Sequence, residues 1–289
     1  LYADNPGVYD AWDILPNYKD VQVALNVDKP LALVSSDGSS AEFAVTFTTE
    51  KSTWKMILRF FADSRAIEVE NVVDWDEKHK LAKVNFGPDV LTRELVCDTS
   101  AGFVKRDLTK NTSWQQARFE VCHHKWCDMS ESGSGIAIIN EGKYGVGLEK
   151  DEISLSLLRA NIRPDITSDI GHHDFCYTIL PHSGDAVEAQ VNKTAMEYNV
   201  PLCKSNVTVP AALRDTLNNC GLYLQAMKRS EDGQYLILRL SEQDGRRGKI
   251  AFPFEVQTMN LIEDIEGSTK VVSYHPFELI TVAVKPEDL

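Results

Sequence analysis

Short runs in which apolar and polar residues alternate recur along most of the chain, and this period of two is typical of half-buried β-strands. Residues 80–86 (KLAKVNF) show it clearly, because Ala82, Val84 and Phe86 fall on one face and polar residues on the other. Similar runs predict strands at 55–61, 66–73, 117–122, 135–139, 143–148, 152–158, 173–180, 222–229, 234–241, 249–257 and 277–284. The pattern therefore favours an all-β protein.

Turn and helix signals separate these runs. Asp-Gly pairs at 37–38, 232–233 and 244–245 predict short hairpins. One segment has a helical period: Asp185 with Glu188 forms a capping-box pattern, and small apolar residues then recur every four positions. The sequence predicts a helix over 185–198, a large β-sandwich over 1–200 that includes it, and a smaller β-sandwich over 201–289.

Composition and charge exclude several classes of protein. Of the 289 residues 43% are hydrophobic and 25% are charged, as in ordinary globular domains. The longest apolar runs, such as 136–139, are far shorter than the about 18 residues that span a bilayer. The net charge is −13, and the one basic cluster, at 246–249, lies in a glycine-containing turn. We expect no membrane and no nucleic-acid partner.

The six cysteines, at 97, 122, 127, 176, 203 and 220, include no Cys-x-x-Cys pair. We expect free thiols in a cytoplasmic protein rather than a zinc site built from residues 122–127. The sequons at Asn111, Asn192 and Asn206 are expected to be unused, because no leader precedes them. The chain opens at Leu1, which suggests a piece of a longer protein.

Residues 4–13 (DNPGVYDAWD) combine acids and aromatic rings around a Pro-Gly turn. Trp12 is flanked by Asp10 and Asp13, a combination that can hold a sugar by stacking and hydrogen bonding. From chemistry alone, a tryptophan that anchors the loop to the core explains the pattern better.

Two further clusters resemble catalytic or metal sites. Glu68 and Glu70 share a predicted strand face with Asp74, and paired carboxylates can serve a glycosidase as acid and nucleophile, but a solvated strand face explains them better. His172 and Asp174 have the spacing of half a metal site without evident further ligands. We predict no metal ligand and no catalytic residue in this chain.

Several segments, in chain order, resemble the cytosolic-type α-mannosidases of glycoside hydrolase family 38. They are residues 4–13, 67–81 (IEVENVVDWDEKHKL), 125–131 (KWCDMSE), 140–145 (NEGKYG), 155–160 (LSLLRA), 169–177 (DIGHHDFCY) and 276–281 (PFELIT). They cover nearly the whole chain, and they resemble only the C-terminal β portion of such enzymes. The resemblance implies a mutarotase-like type for the larger sandwich.

The resemblance also implies a division of labour. The catalytic carboxylate and the zinc, or another divalent metal, belong to an N-terminal catalytic domain, which becomes the expected partner together with mannosides or oligosaccharides. The enzyme would be a retaining α-mannosidase, and this portion would complete the rim of its pocket without hydrolysing substrate by itself. Arg106 is the best match to an arginine that reaches the sugar, and Trp12, Asp10 and Asp13 would face the catalytic domain.

Two alternatives stay open from sequence. One is a free-standing carbohydrate-binding module, which would need an exposed aromatic platform. The other is a docking or homo-oligomerisation domain, which would need a large apolar patch. For Arg106, the alternative to substrate binding is a surface ion pair with Asp107 or Asp128.

Overall fold

The computed structural model describes residues 1–202 and 209–288 of the chain. The chain divides into two compact units, one formed by Leu1–Asp98 with Val104–Val200 and the other by Thr99–Phe103 with Pro201–Leu289. Among the described residues, no helix has the length and apolar character to cross a membrane. The all-β sandwich class predicted from sequence is confirmed.

Two antiparallel sheets build the larger unit. In chain order its strands are β1 (Tyr2–Ala3), β2 (Asn26–Ser36), β3 (Ser40–Thr48), β4 (Thr53–Phe61), β5 (Ile67–Trp75), β6 (Lys80–Phe86), β7 (Glu94–Thr99), β8 (Gly102–Asp107), β9 (Glu120–Cys122), β10 (Trp126–Ser130), β11 (Ser134–Asn140), β12 (Gly145–Glu149), β13 (Glu152–Arg159) and β14 (Gly171–Ser183). The nine-stranded sheet has the order β2-β3-β4-β5-β14-β11-β10-β7-β8, and the five-stranded sheet has the order β1-β6-β13-β12-β9.

The core of this unit is formed by the inward faces of both sheets. Along β5 the burial alternates, so that Val69, Val73 and Trp75 point into the core while Glu68 and Asp74 lie on the other face. Strand β13 supplies buried aliphatic residues from the second sheet, among them Ile153 and Leu155. The alternation read from sequence is therefore the alternation that builds the core.

The smaller unit has one five-stranded antiparallel sheet with the order β15-β16-β19-β17-β18. Its strands are β15 (Tyr223–Arg229), β16 (Leu236–Ser241), β17 (Gly248–Met259), β18 (Ile265–Tyr274) and β19 (Leu279–Val284). Because β19 lies between β16 and β17, the Asp244–Gly245 turn is a connection and not the hairpin predicted from sequence. The buried Glu242 carboxylate holds this turn by accepting the N–H groups of Asp244, Gly245 and Phe277.

Within residues 1–202 and 209–288, three α-helices interrupt the strands: α1 (Ser113–Ala117), α2 (Val191–Asn199) and α3 (Ala211–Asn218). The predicted capping box is present, since Asp185 accepts the N–H groups of Val187 and Glu188. It stabilises a turn rather than a helix start, because Gln190 adopts a left-handed conformation with φ of 55°. The helix therefore begins at Val191, six residues later than predicted, while α1 and α3 were not predicted.

Strand β2 forms one edge of the nine-stranded sheet, and all eleven of its residues are exposed. Its pairing with β3 shifts register three times, and Pro30 lies within it. Strand β3, in contrast, pairs with β4 over nine consecutive residues without a shift. Sequence alternation did not predict β2 because neither of its faces is buried.

Candidate functional site

The N-terminal segment holds its aspartates in different surroundings. Asp10 is 1% exposed, and its Oδ2 accepts the N–H of Ile162 at 2.7 Å and that of Arg163 at 3.1 Å. His79 Nε2 lies 3.1 Å from the same oxygen. Burial by itself raises the pKa of Asp10, but these donors outweigh burial and lower the pKa below its ordinary value.

Asp4 fixes the other end of the same segment. Its Oδ1 accepts the N–H of Leu15 at 3.0 Å, and its Oδ2 accepts from Arg159 Nε at 2.7 Å. Arg159 also donates to the backbone carbonyl of Asp13. These contacts anchor the loop at both ends, so the acids at positions 4 and 10 shape it instead of projecting into solvent.

Between these anchors the loop presents an apolar surface. Trp12 is 71% exposed, Val8 76% and Tyr9 62%, and the Asp13 side chain is exposed as well. Chemistry alone favoured a Trp12 that anchors the loop to the core, and its exposure shows that it does not. Of the predicted substrate contacts in this segment, Trp12 and Asp13 are accessible and Asp10 is buried, and all three contacts stay predictions.

Arg106 lies on β8, at an edge of the nine-stranded sheet, and is half-buried. Its Nε is buried without a hydrogen-bond partner. Burial raises the pKa of the nearby Cys97 thiol to about 12, and the positive charge of Arg106 opposes part of that increase. The alternative ion pairs are not formed. Asp107 instead bonds Thr109 and Gln115, and Asp128 bonds His182 and Ser130.

The other carboxylates and imidazoles considered from sequence have structural partners. Glu70 pairs with Arg59, which also binds Glu42. The exposed His172 contacts Asp74 at 2.7 Å and Asp174 at 3.3 Å. The hydrogen bond that the His172 ring donates to Asp74 and the charge of Asp174 raise the pKa of His172.

No set of three or more His, Cys, Asp or Glu side chains suited to a metal ion occurs in residues 1–202 and 209–288. Residues 122–127 do not converge, because Cys127 and His123 are fully buried while Cys122 is exposed. Residues 122–127 therefore lack the common point of convergence that a tetrahedral zinc site needs. Cys97, Cys122, Cys127, Cys176 and Cys220 are free thiols, and Cys203 lies outside the described residues, as does the sequon at Asn206.

A cleft of about 560 Å³ in the larger unit was not predicted from sequence. Its walls are the connection from β9 to β10, the connection from β11 to β12 and the end of α2, and its lining is His124, Lys125, Asn140, Glu141, Gly142, Tyr144 and Asn199. Two of the segments that carry the family resemblance, 125–131 and 140–145, contribute to it. The signal available in the sequence was the mixture of aromatic and polar residues in two turns, but their proximity depends on the sheet topology.

Comparison with known proteins places the chain in a family. A sequence model of the glycosyl hydrolases family 38 C-terminal domain matches residues 1–167. A model of the glycosyl hydrolases family 38 C-terminal beta sandwich domain matches residues 221–282. The two matches follow each other along the chain, one in each compact unit.

Curated relatives are named as α-mannosidases. Alpha-mannosidase 2C1 of Homo sapiens is 31% identical over 255 residues, which cover 85% of this chain and 24% of that protein. Alpha-mannosidase G of Dictyostelium discoideum is 32% identical over 315 residues, covering 97% of this chain and 28% of that protein. The chain thus spans about a quarter of the length of these relatives.

A solved structure shares the fold. The crystal structure of an alpha-mannosidase from Enterococcus faecalis V583 superposes with a TM-score of 0.71 at 13% identity and covers 90% of this chain and 35% of that chain. Together with the matches of both family models, this establishes that the chain belongs to glycosyl hydrolase family 38 and corresponds to its C-terminal β region.

Proposed function

We propose that this chain is the C-terminal β region of an α-mannosidase that hydrolyses terminal α-mannosides. The observation that carries the proposal is the pair of family 38 C-terminal matches, in order, over residues 1–167 and 221–282. Relatives named as α-mannosidases support the substrate class. Free buried thiols agree with a cytoplasmic location, which belongs to the same proposal.

The chemistry is assigned to an N-terminal catalytic domain outside this chain. A retaining glycosidase needs two carboxyl groups about 5–5.5 Å apart. The nearest candidate here, Glu70, is already engaged by Arg59, and the described residues offer no metal-binding set. The proposal assigns the divalent metal and the carboxylate pair to the catalytic domain, and this chain alone is expected to be inactive.

The contribution of this chain is contact with the substrate and with the catalytic domain. The exposed indole of Trp12 offers a stacking surface, and the Asp13 carboxylate an acceptor for sugar hydroxyls. Arg106 has an Nε without a partner, and its planar fork suits adjacent hydroxyls. Asp10 is assigned the positioning of the loop, since it binds two backbone N–H groups from residues 162 and 163.

The proposal is tested by assaying an aryl α-mannoside with three preparations: the parent protein, this chain alone and this chain mixed with the separately produced N-terminal portion. Zinc or cobalt is added to each. Hydrolysis by the parent and by the mixture, with retained anomeric configuration in the NMR spectrum of the product, is expected. Hydrolysis by this chain alone would contradict the assignment of catalysis to the N-terminal domain. Mannoside binding without hydrolysis by the parent would favour a carbohydrate-binding module instead.

The assigned contacts are tested in the parent protein. Replacing Arg106 with Ala is expected to lower kcat/KM by about ten- to a hundredfold, the scale of one or two charge-assisted hydrogen bonds. The melting temperature should change little. Trp12→Ala should likewise lower kcat/KM without a large change in melting temperature. Trp114→Ala is the matched control, because Trp114 is also exposed, at 77%, but lies on α1. Lost stability with unchanged kinetics would assign Arg106 a structural role.

A further inference from the structure

We infer that the cleft between the β9–β10 and β11–β12 connections is a binding site for a neutral pyranoside, distinct from the contacts of Trp12 and Arg106. The inference rests on the proposed function for the choice of mannose-containing sugars. The volume of about 560 Å³ falls inside the range of about 300–1,000 Å³ typical of small-molecule sites.

The cleft offers aromatic surface in an otherwise polar wall. Tyr144 is 55% exposed, and its ring meets that of His124 edge-to-face with centroids 5.8 Å apart. This arrangement leaves ring surface open to the cleft. The apolar C–H face of a pyranose stacks on such rings, while its hydroxyls need polar partners at the rim.

The polar partners are present and unoccupied. In the part of the chain that the structure describes, neither the exposed Glu141 carboxylate nor the Tyr144 hydroxyl makes a hydrogen bond or ion pair. Asn199 uses its amide nitrogen to bond the carbonyl of Ala195 at 2.9 Å, which fixes its side chain at the rim. A carboxylate and a phenol provide acceptors and a donor, the pairing that vicinal hydroxyls require.

A buried network holds both turns in place before any ligand arrives. The Asn140 amide nitrogen lies 2.8 Å from His123 Nε2 and donates to the carbonyl of His124 at 3.0 Å. The Asn140 Oδ1 accepts the N–H groups of Gly142 at 2.9 Å and Lys143 at 2.6 Å. Gly142 has a φ of 109°, which disfavours any side chain in this turn. A fixed rim lowers the entropy that binding would otherwise cost.

Charge in the cleft disfavours an anionic ligand. Lys125 is neutralised by Asp98, whose Oδ2 lies 2.6 Å from its Nζ and whose Oδ1 accepts the N–H groups of His124 and Lys125. The Glu141 carboxylate then remains at the rim and repels phosphate or a carboxylate ligand. The cleft therefore suits a neutral polyol better than a phosphorylated one.

The experiment measures mannotriose binding to the 289-residue chain by titration calorimetry and by saturation-transfer NMR. The variants are Tyr144→Ala and Glu141→Gln, each checked for an unchanged melting temperature. We expect Tyr144→Ala to weaken binding by about tenfold and Glu141→Gln to weaken it less. The Trp114→Ala control should bind as the unaltered chain does, and Trp12→Ala is the comparison that reports binding at the N-terminal loop instead. Inorganic phosphate at the same concentrations should neither bind nor compete.

Each result separates this inference from the proposed function. The inference would be overturned if the folded chain did not bind mannotriose. It would also be overturned if binding were lost with Trp12→Ala but not with Tyr144→Ala. In either case, hydrolysis by the parent protein would still uphold the proposed function. Competition by phosphate would also overturn it, in favour of an anion site. Tyr144-dependent binding by a parent protein that hydrolyses no mannoside would uphold the cleft and contradict the proposed activity.

Discussion

Asp10 and Asp13 belong to one short loop and meet opposite surroundings. Asp10 is 1% exposed and binds three donors, from His79, Ile162 and Arg163, whereas Asp13 keeps its carboxylate in solvent. A charged acceptor buried against backbone N–H groups stabilises the loop that it closes. The sequence suggests no such difference, because the donors to Asp10 come from residues about 70 and 150 positions away.

Replacing Asp10 with Asn is expected to lower the free energy of unfolding by about 1.5–3 kcal/mol. Because the folded-state pKa of Asp10 is lowered, its contribution is present above the ordinary value of 3.8 and is lost as pH falls through the folded pKa. Urea unfolding at neutral pH and across the acid range measures both effects. Asp13→Asn is the control and should change stability by less than about 0.5 kcal/mol; equal effects of the two variants would contradict the assignment.

His182 and Asp128 form a buried pair with Nε2 and Oδ2 2.6 Å apart, and the His182 side chain is 6% exposed. Burial lowers the pKa of His182, but the hydrogen bond and charge of Asp128 outweigh burial and raise the pKa above 6.5. The stabilisation is therefore complete below 6.5 and lost as pH rises through the raised pKa.

The His182→Gln variant should consequently lose less stability than the unaltered chain as pH rises from 6.5 through the raised pKa of His182. Urea midpoints measured at several pH values would show this as a smaller change of midpoint with pH for the variant. His275→Gln is the matched control, because His275 contacts Glu278 at 3.1 Å but is 64% exposed. If both variants kept the slope of the unaltered chain, the pair would not be the source of the pH dependence.

At the scale of the element, Lys83 shows how one strand is tied to its neighbours. The alternation of β6 predicted only that Lys83 lies on the face opposite Val84, and it did not indicate that this face is buried. The structure instead buries its side chain completely, with Nζ 2.8 and 2.9 Å from the two Glu120 oxygens and 2.8 Å from Ser156 Oγ. Tyr18, from the N-terminal segment, donates to the same Glu120 and covers the amine.

Removing one member of this pair should be costly. Lys83→Met leaves the Glu120 charge without its cation and is expected to destabilise the chain by about 3–5 kcal/mol. The double variant Lys83→Met with Glu120→Leu should be less destabilised than the single variant, because no charge then remains unpaired. Denaturant unfolding of both variants checks the order, and the reverse order would contradict an ion pair at this position.

The strands that sequence predicted are those with one buried face, such as β5, β6 and β13, because burial imposes a period of two. Strands β2, β3, β7, β8, β10 and β18 were not predicted, and for β2 the reason is that both faces are exposed. The start of α2 was predicted wrongly for a different reason. The capping interaction of Asp185 is local, whereas the start of the helix depends on the conformation of Gln190.

At the scale of the whole molecule, the family and the sandwich architecture were predictable because long segments carry them in order along the chain. The candidate site was less predictable. Trp12 and Asp13 were identified by residue type, but the His124–Tyr144 cleft is formed by two turns that only the order β9-β12 in one sheet and β10-β11 in the other brings together. The type of each residue is visible in the sequence, whereas the residues that come together in space are determined by the sheet topology.

Strand β2 also determines how this chain can be shortened. Its proline and its three register shifts make it a poor template for a further strand, but β3 beneath it is regular, contains no proline and carries one acid, Glu42. A version that lacks residues 26–36 but keeps the N-terminal segment would expose this regular edge and is expected to form amyloid-like aggregates that increase thioflavin fluorescence. Adding Phe43→Lys to the shortened chain should suppress them, because a charge on an open edge opposes strand addition. Strand β2 would then protect the chain from self-association. A shortened version that stays soluble without β2 would contradict this role.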